Sequence, residues 1–142
     1  MLSLVILFIL TDCPDGWNTL ESNCYKYFEL EKTRIGAIKQ CSREGGHIAS
    51  IHSEVENYFI LALLPPNTRL PWIGGYLITG GTWTWLDGSE FSFDNLATGE
   101  PRQSICRVLV INKDHQDYLP GKWLSKICSG SVKRSYVCKI SK

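Results

Sequence analysis

Six cysteines, Cys13, Cys24, Cys41, Cys106, Cys128 and Cys138, run from one end of this 142-residue chain to the other, and no two form a C-x-x-C pair. That spacing gives zinc ribbons, zinc knuckles and thioredoxin-type redox sites no support. An even count spread end to end points instead to three disulfides made in an oxidising, extracellular compartment. Six cysteines permit many pairings, and spacing alone does not choose among them. The length fits one domain of ordinary size.

The formal net charge of +1 supplies no overall field toward nucleic acid or acidic membranes. The charge is nevertheless uneven. From Gly121 to Lys142 the chain carries Lys122, Lys126, Lys133, Arg134, Lys139 and Lys142 with no acid. Solvated lysines on outward strand faces are the favoured reading, with contact to an anionic surface as the alternative. Leu2 to Leu10 is an apolar run of signal-peptide length, too short to span a bilayer. No Lys or Arg precedes it, and no small-x-small cleavage site follows. Residues 1–12 are therefore read as a signal peptide with a start that is open to truncation, a membrane-anchor remnant being the rival. Residues 13–142 are the domain, expected to be secreted.

Along the domain, Asn23 to Phe28 reads as a strand. A helix follows from about Lys32 to Glu44, with Ile35, Ile38 and Cys41 at three-residue intervals and Gly45-Gly46 as its stop. Ser53-Glu54-Val55-Glu56 is a capping box: the Ser53 hydroxyl would accept from the Glu56 amide, and the Glu56 carboxylate would reach back to the Ser53 amide. The helix it opens should bury Val55, Phe59 and Ala62 and end before Pro65-Pro66. Short strands then follow at Trp72–Tyr76, Thr82–Leu86, Ile105–Ile111, Gly121–Ser125 and Arg134–Ile140, with a long loop over Ser89–Ser104. Two helices followed by short strands and long loops make the fold class α+β.

Taken in order, these landmarks resemble the C-type lectin-like domain family. Cys13-Pro14-x-Gly16-Trp17 and Cys24-Tyr25 look like its opening hairpin. Cys41, Trp72-Ile73-Gly74, Trp83-x-Trp85-x-Asp87-Gly88, Glu100-Pro101, Cys106, Trp123, Cys128 and Tyr136-Val137-Cys138 follow in sequence. The resemblance implies a fold of two helices, small antiparallel sheets and a long loop region. It also implies the bridges Cys13–Cys24, Cys41–Cys138 and Cys106–Cys128. The middle bridge would close a loop worth roughly 4–5 kcal/mol on the chain-entropy model.

The family's best-known activity is calcium-dependent sugar binding, and calcium needs about six to eight oxygen ligands. The resemblance places its ligands at Glu100, at the amide after Pro101, at an acid two residues before Cys106, and at an Asn-Asp after Trp123. Only Glu100 survives. Arg102, Ser104, Leu124 and Ser125 occupy the other positions. A guanidinium about 4 Å from a divalent ion is repelled by several kcal/mol at intermediate dielectric. The calcium site is therefore expected to be lost, with no metal or other cofactor. Glu100 and Arg102 are then a surface ion pair or a loop brace.

Asn112-Lys113-Asp114-His115-Gln116-Asp117 is an apparent insertion. Asn112, Asp114 and Asp117 could gather a cation, but the spacing is not that of an EF-hand, and a solvated partner-contact loop is favoured. Trp83 and Trp85 lie two apart, so they face one side of a strand. Core packing is favoured for both, and a stacking platform at Trp85 is the alternative. No nucleophile elbow, zinc-binding helix motif or free cysteine nucleophile is visible, and His52 reads as a hydrogen-bonded structural residue. The expectation is a calcium-independent, non-enzymatic module that binds a protein or other ligand. Its expected contacts are Glu100, Arg102, Trp85, Asp114 and Asp117. The alternative is a carbohydrate-binding lectin of innate recognition with a non-standard site.

Overall fold

The computed structural model of the chain describes residues 13–101 and 106–142. The signal-peptide reading of residues 1–12, and the positions of Arg102 and Ser104, lie outside the described residues. Among the described residues no helix is long and apolar enough to cross a membrane.

Strands β1 (Asn18–Leu20) and β2 (Asn23–Thr33) form the opening antiparallel hairpin, tied by the Cys13–Cys24 bridge. β2 runs beyond Phe28, where the sequence suggested an end, and shifts register between Phe28 and Lys32. Helix α1 (Arg34–Arg43) consequently starts later than Lys32. Its N-cap is Thr33, whose hydroxyl accepts the Gly36 N–H at 3.1 Å. α1 buries Ala37 and Cys41, four residues apart, whereas Ile35 is 60% exposed. Three residues fall about 60° short of a full turn, so a row repeating every three winds off the buried face.

Helix α2 (Glu54–Leu63) begins at Ser53, whose hydroxyl accepts the Glu56 N–H at 3.0 Å. Half of the expected capping box is therefore present. The other half is corrected: the Glu56 carboxylate accepts from the His52 N–H at 2.6 Å and turns inward. The buried face is Glu56, Asn57, Ile60 and Leu61. Val55 and Ala62 are exposed, and Phe59 is partly buried. A charged residue draws the face around because its partner, Lys139, waits in the interior at 2.6 Å. Lys139 is thus the exception to the expectation of outward lysines.

The remaining strands are β3 (His47–Ile48), β4 (Trp72–Leu77), β5 (Thr84–Trp85), β6 (Arg107–Ile111), β7 (Trp123–Ile127) and β8 (Lys133–Ile140). They join in the order β1-β2-β8-β4-β6-β7, with β3 paired to β8 and β5 to β4. Every pairing is antiparallel except the single Trp72↔Tyr136 contact between β4 and β8. Gly74 lets β4 pass under the first half of the chain: a Cβ there would sit 2.4 Å from the Ile48 carbonyl oxygen. Cys41–Cys138 fastens α1 to β8, and Cys106–Cys128 closes the open end of the β6–β7 hairpin. These are the bridges the resemblance implied, and the α+β class holds.

Candidate binding surface

The long loop is docked along β7. The Ala97 N–H donates to the Trp123 carbonyl at 2.9 Å, and the Trp123 N–H donates to the Asn95 carbonyl at 3.0 Å. Asp94 shapes the approach by accepting the Leu96 N–H at 2.9 Å. This path delivers Glu100 to Ser125. One carboxylate oxygen of Glu100 accepts the Ser125 N–H at 3.2 Å, and the other accepts the Ser125 hydroxyl at 3.1 Å. Across the hairpin, Arg107 donates to the same hydroxyl at 3.0 Å. Leu124 is buried, and Ser125 is 6% exposed. The residues at the inherited ligand positions thus include one carboxylate already bonded through both oxygens, a buried leucine and a serine held by an arginine.

Trp85 is corrected as a stacking platform. It is 1% exposed, with Phe91 stacked on it at 4.8 Å and Trp123 edge-on at 5.3 Å, so neither ring face is open to a ligand. Trp83 shares that side as the spacing predicted, stacks on Phe91 and donates its indole N–H to the Pro101 carbonyl at 3.2 Å. The tryptophans brace the loop from beneath.

The 112–121 loop is built around Asn112, which is fully buried. Its amide NH2 donates to the Tyr118 and Leu119 carbonyls, both at 3.1 Å, and its side-chain oxygen accepts the His115 N–H at 2.8 Å. At the loop's end Gly121 has φ +88° and lies beside Asn57, whose amide donates to the Gly121 carbonyl at 3.0 Å. Asn57 also accepts the Trp123 indole N–H at 2.8 Å, joining loop, helix and core. Asn112 is spent internally, Asp114 accepts the Asn67 N–H at 2.5 Å, and Asp117 sits 81% exposed beside His115. No cluster of three or more metal-binding side chains occurs among the described residues. Asn57, Asn95, Arg107 and the bracing role of Asn112 were missed in the sequence. Their partners are main-chain groups or side chains that lie far away in sequence, such as the Trp123 indole for Asn57 and the Ser125 hydroxyl for Arg107, and no local side-chain spacing reports those.

Beneath α2 lies a buried polar network. Lys139 donates to Glu56 and to the Ser50 carbonyl and hydroxyl, the last two at 3.2 Å, while the Tyr25 hydroxyl donates to Glu56. Burial first, and the Glu56 hydrogen bond and charge second, push the Tyr25 phenol far above its ordinary range. The Ser50 hydroxyl donates to Asp87 at 2.5 Å, and Ser89 donates to Asp87 through both its N–H and its hydroxyl. The His52 ring nitrogen lies 3.1 Å from the Ser50 hydroxyl and 2.9 Å from that of Ser89. Here the aspartate accepts hydrogen bonds from the serine hydroxyls and does not orient the imidazole, so the serines, histidine and acid form a brace. His52 is the hydrogen-bonded structural residue expected.

Fold and surface together define a disulfide-stapled α+β recognition domain, a scaffold of two helices and a sheet with a long loop laid over aromatic supports. The family model for the lectin C-type domain matches residues 30–140, and the chain belongs to that family. It is 36% identical over 106 residues to ladderlectin of Oncorhynchus mykiss, which covers 70% of this chain and 56% of ladderlectin. It is 32% identical over 132 residues to the galactose-specific lectin nattectin of Thalassophryne nattereri, covering 90% of this chain and 80% of nattectin. The matched stretch thus spans little more than half of ladderlectin but most of nattectin. Among solved structures, the cow C-type carbohydrate-recognition domain of CD23, determined in the presence of a GlcNAc2Man3 oligosaccharide, superposes with TM-score 0.74. The two are 29% identical, and the match covers 91% of this chain and 95% of that one.

Proposed function

We propose that the chain is an extracellular recognition domain that binds a protein or other non-standard ligand, without calcium and without catalysis, through the 89–104 and 112–120 loops. The observation that carries this reading is the engagement of Glu100. Both of its oxygens accept hydrogen bonds from Ser125, and Arg107 holds the same hydroxyl. Calcium would have to displace those bonds and then find about five further oxygens among residues that do not offer them. Three disulfides favour an extracellular setting. On this reading Arg102 belongs to the contact surface beside Glu100, and Asp114 and Asp117 belong to the rim of the second loop. The second reading is glycan binding by a non-standard site; it draws on the galactose specificity named for nattectin and the oligosaccharide named with CD23.

The test is thermal unfolding of the oxidised domain in millimolar calcium and in chelator, with a glycan array under both conditions. A ligand specific to the folded state at a hundred times its dissociation constant stabilises by about 2.7 kcal/mol, a shift of several degrees. The proposal expects no calcium shift. A calcium shift with chelator-sensitive glycan binding overturns it, and glycan binding indifferent to chelator selects the second reading.

A further inference from the structure

A hollow of about 620 Å³ opens between the segment after α2, the 112–115 turn, β7 and the start of β8. That volume is within the range of small-ligand sites. None of the Glu100–Ser125–Arg107 constellation lines it. Its wall brings together three cations from separate segments of the chain: Arg69, Lys126 and Arg134. Among the described residues none of the three forms an ion pair with a carboxylate. The one acid on the wall, Asp114, has an oxygen committed to the Asn67 N–H at 2.5 Å and leaves the hollow with a net positive charge.

Arg134 is held in place before any ligand arrives. Its guanidinium lies over the Trp72 ring at 5.1 Å and donates to the Leu70 carbonyl at 3.4 Å. Its Nε–H is shut away from solvent without a hydrogen-bond partner among the described residues. Leu70 itself sits at φ +40°, a left-handed conformation that a branched side chain rarely adopts and that tends to persist at ligand sites. Burial, and then the nearby charge of Arg69, lower the Arg134 pKa against a weaker opposing pull from Glu31. The two guanidiniums therefore feel each other. Gathering unneutralised like charges round a concave surface is unfavourable until an anion enters, and a tetrahedral oxyanion offers the paired acceptors a guanidinium fork matches.

We propose that this hollow is an oxyanion site, in which Arg69, Lys126 and Arg134 bind a sulfate or phosphate ester carried on a larger ligand. Asn112, Asp114 and His115 of the 112–120 loop line this hollow, so it adjoins the loop surface proposed above, but it does not depend on the calcium-free reading, which rests on Glu100 and Ser125. Neither stands or falls with the other.

The experiment titrates the full, oxidised chain with sodium sulfate, sodium phosphate, a sulfated oligosaccharide and a phosphorylated monosaccharide, following backbone amide shifts. Shifts should concentrate on Thr68 to Leu70, Lys126 and Arg134. Arg69→Glu, at an exposed position, and Lys126→Gln, at a half-buried one, should each weaken binding at least fivefold with an unchanged melting temperature, and Asp114→Asn should strengthen it. Arg134→Gln serves only as confirmation, since Arg134 is packed against Trp72. Tighter binding of the sulfated probe names sulfate esters as the source, and tighter binding of the phosphorylated probe names phosphate esters. Absence of binding by all four anions overturns the proposal. So does binding that Arg69→Glu and Lys126→Gln leave unchanged, or shifts centred on Lys133 and Lys142.

Discussion

Glu56 and Glu100 are both carboxylates that cross the molecule to meet a distant partner, yet they do different things. Glu56 is 6% exposed and is met by a cation, a phenol and a main-chain N–H from three other segments. Glu100 is half-buried and is met by one serine, through its N–H and its hydroxyl. A buried charge must be compensated on every side or the fold does not close. A rim carboxylate is free to trade hydrogen-bond partners with water or with a ligand. The first is therefore part of what makes the domain, and the second is where variation in function can be written at less cost to the scaffold. The same contrast explains how a lectin scaffold can keep its helices, bridges and tryptophans while its ion-binding positions carry Leu124 and Ser125.

The sharpest way to break the contrast is Lys139→Ala. It leaves Glu56 charged and buried without its cation, and removal of one partner from such a pair costs about 3–5 kcal/mol. Denaturant unfolding should show that loss without a change in slope. If the variant is destabilised by less than about 1 kcal/mol, Glu56 is being compensated by other groups and the distinction from Glu100 fails. A smaller effect is expected at the rim. Glu100→Ala removes two acceptors and frees the N–H and hydroxyl of Ser125, worth about 1–2 kcal/mol. A loss equal to that of Lys139→Ala would make Glu100 a scaffold residue and weaken its place on the ligand surface.

Much of the scaffold was legible in the sequence. The cysteine series, the tryptophan motifs and the Ser53 cap announce themselves by local order, because each depends on neighbours within a few residues or on a fixed succession of landmarks. What was not legible turned on which way a helix faces. Ile35 and Val55 look like core residues, and Glu56 looks like a solvated cap. The face is set by Lys139, eighty-three residues away, whose charge pulls Glu56 inward. The site was less legible still. Trp85 carries the composition of a stacking platform and the burial of a core residue. The cations of the hollow come from segments whose proximity only the sheet order creates: Arg69 precedes β4, whereas Lys126 and Arg134 belong to β7 and β8.

The smallest effect lies where the two carboxylate types meet. Asp87 is partly exposed, like Glu100, but it is wired through Ser50 to the Lys139 network. Burial alone would raise its pKa. The hydrogen bonds from Ser50 and Ser89, with the Lys139 charge behind them, outweigh burial and leave it below the ordinary carboxylate range. A folded pKa lower than the unfolded value of about 3.9 means that the unfolded chain takes up the proton first. The stability Asp87 contributes is then fully present above that unfolded pKa and drains away as pH falls through the folded one. Wild type should therefore lose stability more steeply than Asp87→Asn below about pH 4, and the gap between them should close as acid is added. Melting curves across the acid range test this directly. A gap that stays constant with pH would mean that Asp87 acts through hydrogen-bond shape alone and that its charge contributes nothing to stability.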